Sequence, residues 1–273
     1  MGLAEMERVG RAMSSSDYWR KQNPDKPLFP DVLWSKPERR DAAGKLAIVG
    51  GNSHGFAAVA AAYQTALATG VGAAKVILPD VLKKTLPPDC IFAPTNPSGG
   101  LSREALVDLR AATTWANLIL FIGDNGQNSE TAGLFETFLA KDTETPVMIT
   151  RDAVDLVKNA AEAVLNRTPT HLVVSLSQLQ KLLKNVYYPR VVTFSQGVKQ
   201  IAETLHKFTV TYPCTITLWH SGNLFAAHGG QVVSQEFNQP MRVWSGEIAA
   251  RAAVWQIWQR DPIQAAATSW LTN

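Results

Sequence analysis

Cysteine is scarce: Cys90 and Cys214 are the only two thiols in 273 residues. They stand far apart and match no metal spacing, which excludes a disulfide framework and a cysteine-built zinc site. Two free thiols fit a reducing compartment. No apolar run reaches the roughly 20 residues that span a bilayer. Met1 to Arg20 lacks the apolar core of a secretory signal. The expectation is a soluble, cytoplasmic protein with no membrane partner. Charge is sparse too, at 18% of residues and a net +3. No basic block stands out, so nucleic acid is not an expected partner. The chain has no dinucleotide G-x-G-x-x-G and no P-loop Lys-Ser/Thr. No internal repeat, low-complexity tract or second-domain boundary interrupts it.

What is present is a core. With 46% hydrophobic residues, the chain can build one large α/β domain or two small ones. Eight tryptophans are scattered along it. Trp244, Trp255 and Trp258 read as core or oligomer contacts rather than a base-stacking platform, and a homo-oligomer is expected.

The clearest signal runs from Lys45 to Pro79. Leu46-Ala47-Ile48-Val49 is too short for a helix and ends at Gly50-Gly51, so it reads as a strand. Ala57 to Thr69 is alanine-rich, the composition of a helix packed close to a sheet. Gly70 and Gly72 end it. Lys75 to Leu78 is a second strand. A strand–helix–strand unit of this length is a parallel crossover. Its glycine turn, Gly50 to Gly55, leaves backbone N–H groups at a helix N-terminus, where anions and polar ligands bind. The same glycines also serve a tight turn and nothing more. Open α/β sheets place ligands at this carboxyl edge.

Residues 1–44, with Pro24, Pro27, Pro30 and Pro37, read as an arm outside the sheet that wraps the domain or a neighbour. Residues 45–273 form the domain. Further strands are expected at Asn117–Gly123, Pro146–Thr150 and His171–Leu176. Helices are expected behind Ser102, Ser129, Asp152 and Ser177, and over Val198–Lys207. After Phe208, Val210–Trp219 and Leu224–Val233 read as two strands of a hairpin turning at Ser221-Gly222-Asn223. Gly246–Gln259 and Pro262–Leu271 are helical. The pattern predicts a mostly parallel three-layer α/β/α sandwich with an antiparallel hairpin near the C-terminus.

This order of motifs resembles the ribokinase-like superfamily, and within it the ADP/ATP-dependent NAD(P)H-hydrate dehydratases. The likeness rests on Val49-Gly50-Gly51-Asn52-Ser53-His54-Gly55-Phe56, on Gly72-Ala73-Ala74-Lys75-Val76, and on Ile122-Gly123-Asp124-Asn125-Gly126-Gln127. Pro146 to Asp152 also fits. It implies a nucleotide site with ATP or ADP and Mg, and a NAD(P)H-type substrate contacting Gly51, Asn52, Ser53, His54, Phe56, Asp124, Asn125 and Asp152. Phosphate would sit against Ser245, Gly246 and His220, with Glu247 as the catalytic base. No metal site built from protein side chains is expected. Several of these positions have simpler readings. Asp152 and Ser245 suit helix N-caps, Asp124 and Asn125 suit a turn, and Glu247 suits the first turn of a helix. His54 and His220 lack a third metal ligand.

The chain departs from the family pattern at the chemistry. The family's Thr-Pro-His-x-Gly-Glu falls on Ser175 to Gln180, without the His, Gly or Glu. The expected lysine falls on Trp219-His220. The Gly-Gly-Ser/Thr-Gly-Asp signature falls on Val243-Trp244-Ser245-Gly246-Glu247. An anion hole needs free N–H groups that a bulky residue obstructs. A longer carboxylate displaces the base, and about 1 Å costs around a hundredfold. A binding protein that retains the crevice is therefore the first expectation. An active dehydratase using Glu247, or a small-molecule kinase of the same superfamily, are the alternatives.

Overall fold

Residues 18–84, 90–141 and 144–271 are described by the structure, a computed structural model. Lys45–Gly50 forms β2, and its neighbours extend the sheet to ten strands. In chain order the strands are β1 (Trp19–Gln22), β2, β3 (Ala73–Pro79), β4 (Ile91–Ala93), β5 (Leu118–Gly123), β6 (Val147–Thr150), β7 (Thr170–Val174), β8 (Thr215–His220), β9 (Asn223–His228) and β10 (Gln231–Glu236). They lie in the order β1-β10-β9-β8-β7-β6-β5-β2-β3-β4. The pairs from β8 to β4 are parallel, β9 is antiparallel to both its neighbours, and β1 is parallel to β10.

Alternation sorts each strand between two cores. Val49, Phe121, Ile149, Leu172 and Leu218 face one side. There they meet α2 (Leu106–Trp115), α3 (Ser129–Lys141), α4 (Asp152–Leu156), α5 (Ala161–Asn166), α6 (Leu176–Asn185) and α7 (Val198–Thr211). Leu46, Ile48, Leu120, Ile122 and Val173 face the other side. That side is covered by α1 (Ala57–Thr69), α9 (Glu247–Trp258) and α10 (Pro262–Ser269), with α8 (Pro240–Trp244) leading into α9. Burial on both faces makes the central strands read as continuous apolar runs. Small side chains let α1 and α9 pack closely: Ala58, Ala62 and Ala66 share a core with Ala249, Ala250 and Ala253.

A buried polar link stitches β7 to β8 and α9. His171 lies within this face, with Nδ1 3.1 Å from Gln256 Oε1 and Nε2 2.8 Å from Thr217 Oγ1. Burial holds its pKa down at about 4, so the ring is neutral at pH 7. Nδ1–H then donates to Gln256, and the Thr217 hydroxyl donates to Nε2.

The parallel sandwich with a reversed strand agrees with the sequence reading, with three corrections. The first concerns residues 1–44, read as lying outside the sheet. Trp19–Gln22 instead pairs with β10, while residues 1–17 lie outside the described part. The indole of Trp19 donates to Ser234 Oγ at 2.9 Å. Buried Gln22 donates to Gln235 Oε1 and Ala267 O, both at 2.8 Å. The second correction is the hairpin. Leu224–Val233 is two strands, because Gly229 and Gly230 turn the chain with φ of 54° and 78°. The third is α7, which runs on to Thr211 through residues read as a strand.

Candidate functional site

The glycine turn after β2 is bonded to the turn after β5. Gly51, at φ 81°, donates its N–H to Gly123 O at 2.9 Å. Asn52 Nδ2 donates to Asp124 O at 2.6 Å, and Asn52 Oδ1 accepts from His54 N at 2.7 Å. Ser53 N donates to Gly99 O at 2.8 Å. Gly51 N, Ser53 N and His54 N, which the sequence offered to a ligand, are thus spent on neighbouring loops and within the turn itself.

The turn after β5 is equally committed. Gly123 takes φ 102°, and a Cβ there would lie 2.2 Å from Asp152 Oδ1. Asp152 is no helix cap. Its carboxylate reaches back to accept from Asp124 N at 2.8 Å and Asn125 N at 2.9 Å. Burial raises its pKa against the pull of those donors and of Arg151. Asp124 Oδ2 accepts from Ala58 N at 2.7 Å, so this carboxylate caps the first turn of α1. Its Oδ1 pairs with Arg151 at 2.8 Å.

Arg151 binds the arrangement together. Its backbone sits at φ 57° and ψ −141°, a region costing on the order of 1–3 kcal/mol for a residue with a side chain. Its guanidinium bridges Asp124 and Trp244 O, the latter at 2.6 Å. Arg151 O accepts from Gln178 Nε2 at 2.7 Å. The same amide reaches Asp155, which Lys181 pairs at 2.7 Å. Burial pushes Asp155 up, but Lys181 and Gln178 outweigh it and hold it below the usual carboxylate range.

The junction of α8 and α9 holds the remaining candidates. Ser245 N donates to Met241 O at 2.8 Å, and Gly246 N donates to Val243 O at 3.0 Å. Both N–H groups therefore close the end of α8. Ser245 is not the N-cap of α9; Gly246 is, at φ 89°. Ser245 Oγ accepts only a long 3.4 Å contact from Glu247 N. The Glu247 carboxylate is clamped at Oε1, 2.8 Å from Arg242 Nη2 and 3.2 Å from Arg251 Nε.

Between these parts lies a cleft of about 350 Å³. Asp124, Arg151, Asp152, Asp155, Gln178 and Trp244 wall it, with Thr150, Val173, Val174, Ser175 and Val243. Gly51 to His54, Asn125 and Ser245 to Glu247, which the sequence assigned to the site, do not line it. His220 is buried at the end of β8, 2.8 Å from Gln196 O through Nε2, and does not line the cleft. Phe56 faces a separate apolar groove of about 280 Å³ beside Tyr63 and Val76. Sequence reasoning missed Arg151, Asp155 and Gln178 as cleft residues. The one signal for Arg151 was a basic residue at a strand's carboxyl end, next to a site acid.

The three carboxylates of the cleft are tied to their neighbours. Both oxygens of Asp124, Asp152 and Asp155 already accept from N–H donors or cations. Among the described residues no group of three or more His, Cys, Asp or Glu side chains is placed to hold a metal ion.

The fold recurs in solved structures. A ribokinase-like superfamily protein from Enterococcus faecalis V583 superposes at TM-score 0.67 with 16% identity, covering 93% of this chain and 86% of that one. The chain has the ribokinase-like fold. An ADP/ATP-dependent NAD(P)H-hydrate dehydratase from Bacillus subtilis, co-crystallised with ATP and Mg²⁺, matches at TM-score 0.57 and 13% identity, covering 88% and 83%. Phosphomethylpyrimidine kinase from Clostridium difficile 630 matches at 0.54 and 11%, covering 82% and 96%. No protein-family model matches the sequence, and no curated protein does. On the ribokinase-like scaffold, the cleft lies where open α/β sheets bind ligands. No helix among the described residues is long and apolar enough to cross a membrane.

Proposed function

We propose that this chain is a small-molecule-binding protein that takes a nucleotide-type ligand in the cleft and does not transfer phosphoryl groups. One observation carries the second half. The α8–α9 turn spends the N–H groups of Ser245 and Gly246 on the end of α8, and Arg242 and Arg251 hold Glu247 as an ion pair. A phosphoryl-transfer site needs donors free to meet developing charge and a base free to take a proton. The dehydratase of the same fold, co-crystallised with ATP and Mg²⁺, makes a nucleotide the ligand to test. In the dehydratase reading Glu247 would be the base. In that role the carboxylate would have to take up a proton while Arg242 and Arg251 pair with its Oε1.

The experiment is titration calorimetry with ATP, ADP, AMP, NAD and NADPH, with and without Mg²⁺. The expected outcome is saturable binding of at least one of them with no consumption of ATP. Absence of binding across the panel refutes the proposal. Phosphate release or a phosphorylated product refutes its second half.

A further inference from the structure

Trp244 is a large apolar side chain left 49% exposed, at the wall of the cleft. It is not loose. Its indole meets that of Trp219 edge-on, at 5.9 Å between centroids and 82° between planes. Trp219 is itself fixed by its Nε1–H donating to Phe237 O at 2.9 Å. The Trp244 carbonyl is held by Arg151. A half-exposed indole set against Trp219, on a backbone held by Arg151, is preorganised to meet a flat ligand at reduced entropic cost.

The rest of the wall selects the charge of that ligand. Asp124, Asp152 and Asp155 set three carboxylates against the single guanidinium of Arg151 within the lining. Lys181, behind Asp155, offsets one more. The lining is therefore acidic. A polyphosphate entering it meets like charge, whereas a neutral or positive ring meets both the carboxylates and the face of a tryptophan, the best aromatic partner for a cation. Arg151 Nε is buried without a hydrogen-bond partner.

We infer that Trp244 is the stacking residue of this cleft and that the ligand it takes is a planar nitrogen heterocycle, neutral or cationic. Any phosphates stay outside the cleft. This rests on the binding reading above and narrows it, because it reverses the preference for triphosphate that phosphoryl transfer requires. The bulky residue that closes the phosphate turn becomes the recognition surface.

The test is calorimetric and fluorescence titration of the full chain with adenosine, 1-methylnicotinamide, AMP and metal-free ATP. Adenosine or 1-methylnicotinamide is expected to bind and to quench tryptophan emission. ATP is expected to bind about tenfold more weakly than adenosine. Trp244→Ala should lose about tenfold or more in affinity, the scale of one base–aromatic stack, while Trp244→Phe stays within about threefold of wild type. Unchanged melting of both variants separates lost stacking from lost folding. If Trp244→Ala unfolds, the Phe variant and the adenosine-to-ATP order still decide. Binding that is indifferent to Trp244, or ATP tighter than adenosine, overturns the inference and leaves the binding reading standing. If none of these probes binds, the inference fails. Silence of the nucleotide panel above as well removes the binding reading with it.

Discussion

Acid should loosen this protein in part through His171. Its imidazole is enclosed between β7, β8 and α9 and bonded on both nitrogens. Burial lowers its pKa from 6.5 to about 4. The unfolded chain therefore binds a proton between those values that the folded chain refuses. Stability is fully present above pH 6.5 and is lost as pH falls toward 4. At 1.36 kcal/mol per pKa unit, the loss is about 2 kcal/mol by pH 5 and about 3 kcal/mol by pH 4, relative to pH 8. His228 adds a weaker push in the same direction. Asp152 works the other way, since a carboxyl with a raised folded pKa gains stability as acid protonates it. The difference between wild type and His171→Gln isolates the histidine. Urea unfolding from pH 8 to pH 4.5 is the assay, with the variant expected to show a flatter profile. A variant as acid-sensitive as wild type, or an imidazole titrating near 6.5 by NMR, would refute the reasoning.

Two further substitutions test the packing around the cleft and the added edge strand. Gly123→Ala places a methyl 2.2 Å from Asp152 Oδ1 at φ 102°, and should cost about 2–4 kcal/mol from backbone strain and overpacking together, read as a lower urea midpoint. Gln22→Ala removes the donor to Ala267 O and Gln235 Oε1 from a buried site. It should cost about 1–3 kcal/mol by thermal or urea unfolding, with no effect on ligand affinity.

The β2–α1–β3 crossover was legible because both strands are short apolar runs and glycine marks the turns between them. Strand β5 was legible for the same reason. The edge strand β1 was not. Trp-Arg-Lys-Gln buries only Gln22, so its pairing with β10 left no alternation to read. The end of α7 was misread because Val210 and Thr211 favour strands, while the helix continues on tertiary packing around Phe208 and Leu205. The single long strand after Leu224 hid a turn, since Gly229-Gly230 sits between two apolar stretches. At the cleft, the positions of Asp124 and Asp152 at strand ends were visible in the order of motifs. Their roles were not. Asp152 bonds the chain 27 and 28 residues back, and Arg151 reaches 93 residues forward to Trp244. A local pattern carries no trace of such partners.

Glu247 is the point at which binding and catalysis part. The decisive measurement is recovery of NADH absorbance from NADH hydrate by purified protein with Mg²⁺ and either ATP or ADP, wild type beside Glu247→Gln. With the carboxylate clamped between Arg242 and Arg251, the account predicts no recovery above the enzyme-free rate in either protein. Robust turnover by wild type that Glu247→Gln abolishes would contradict it and make Glu247 the base of a working dehydratase.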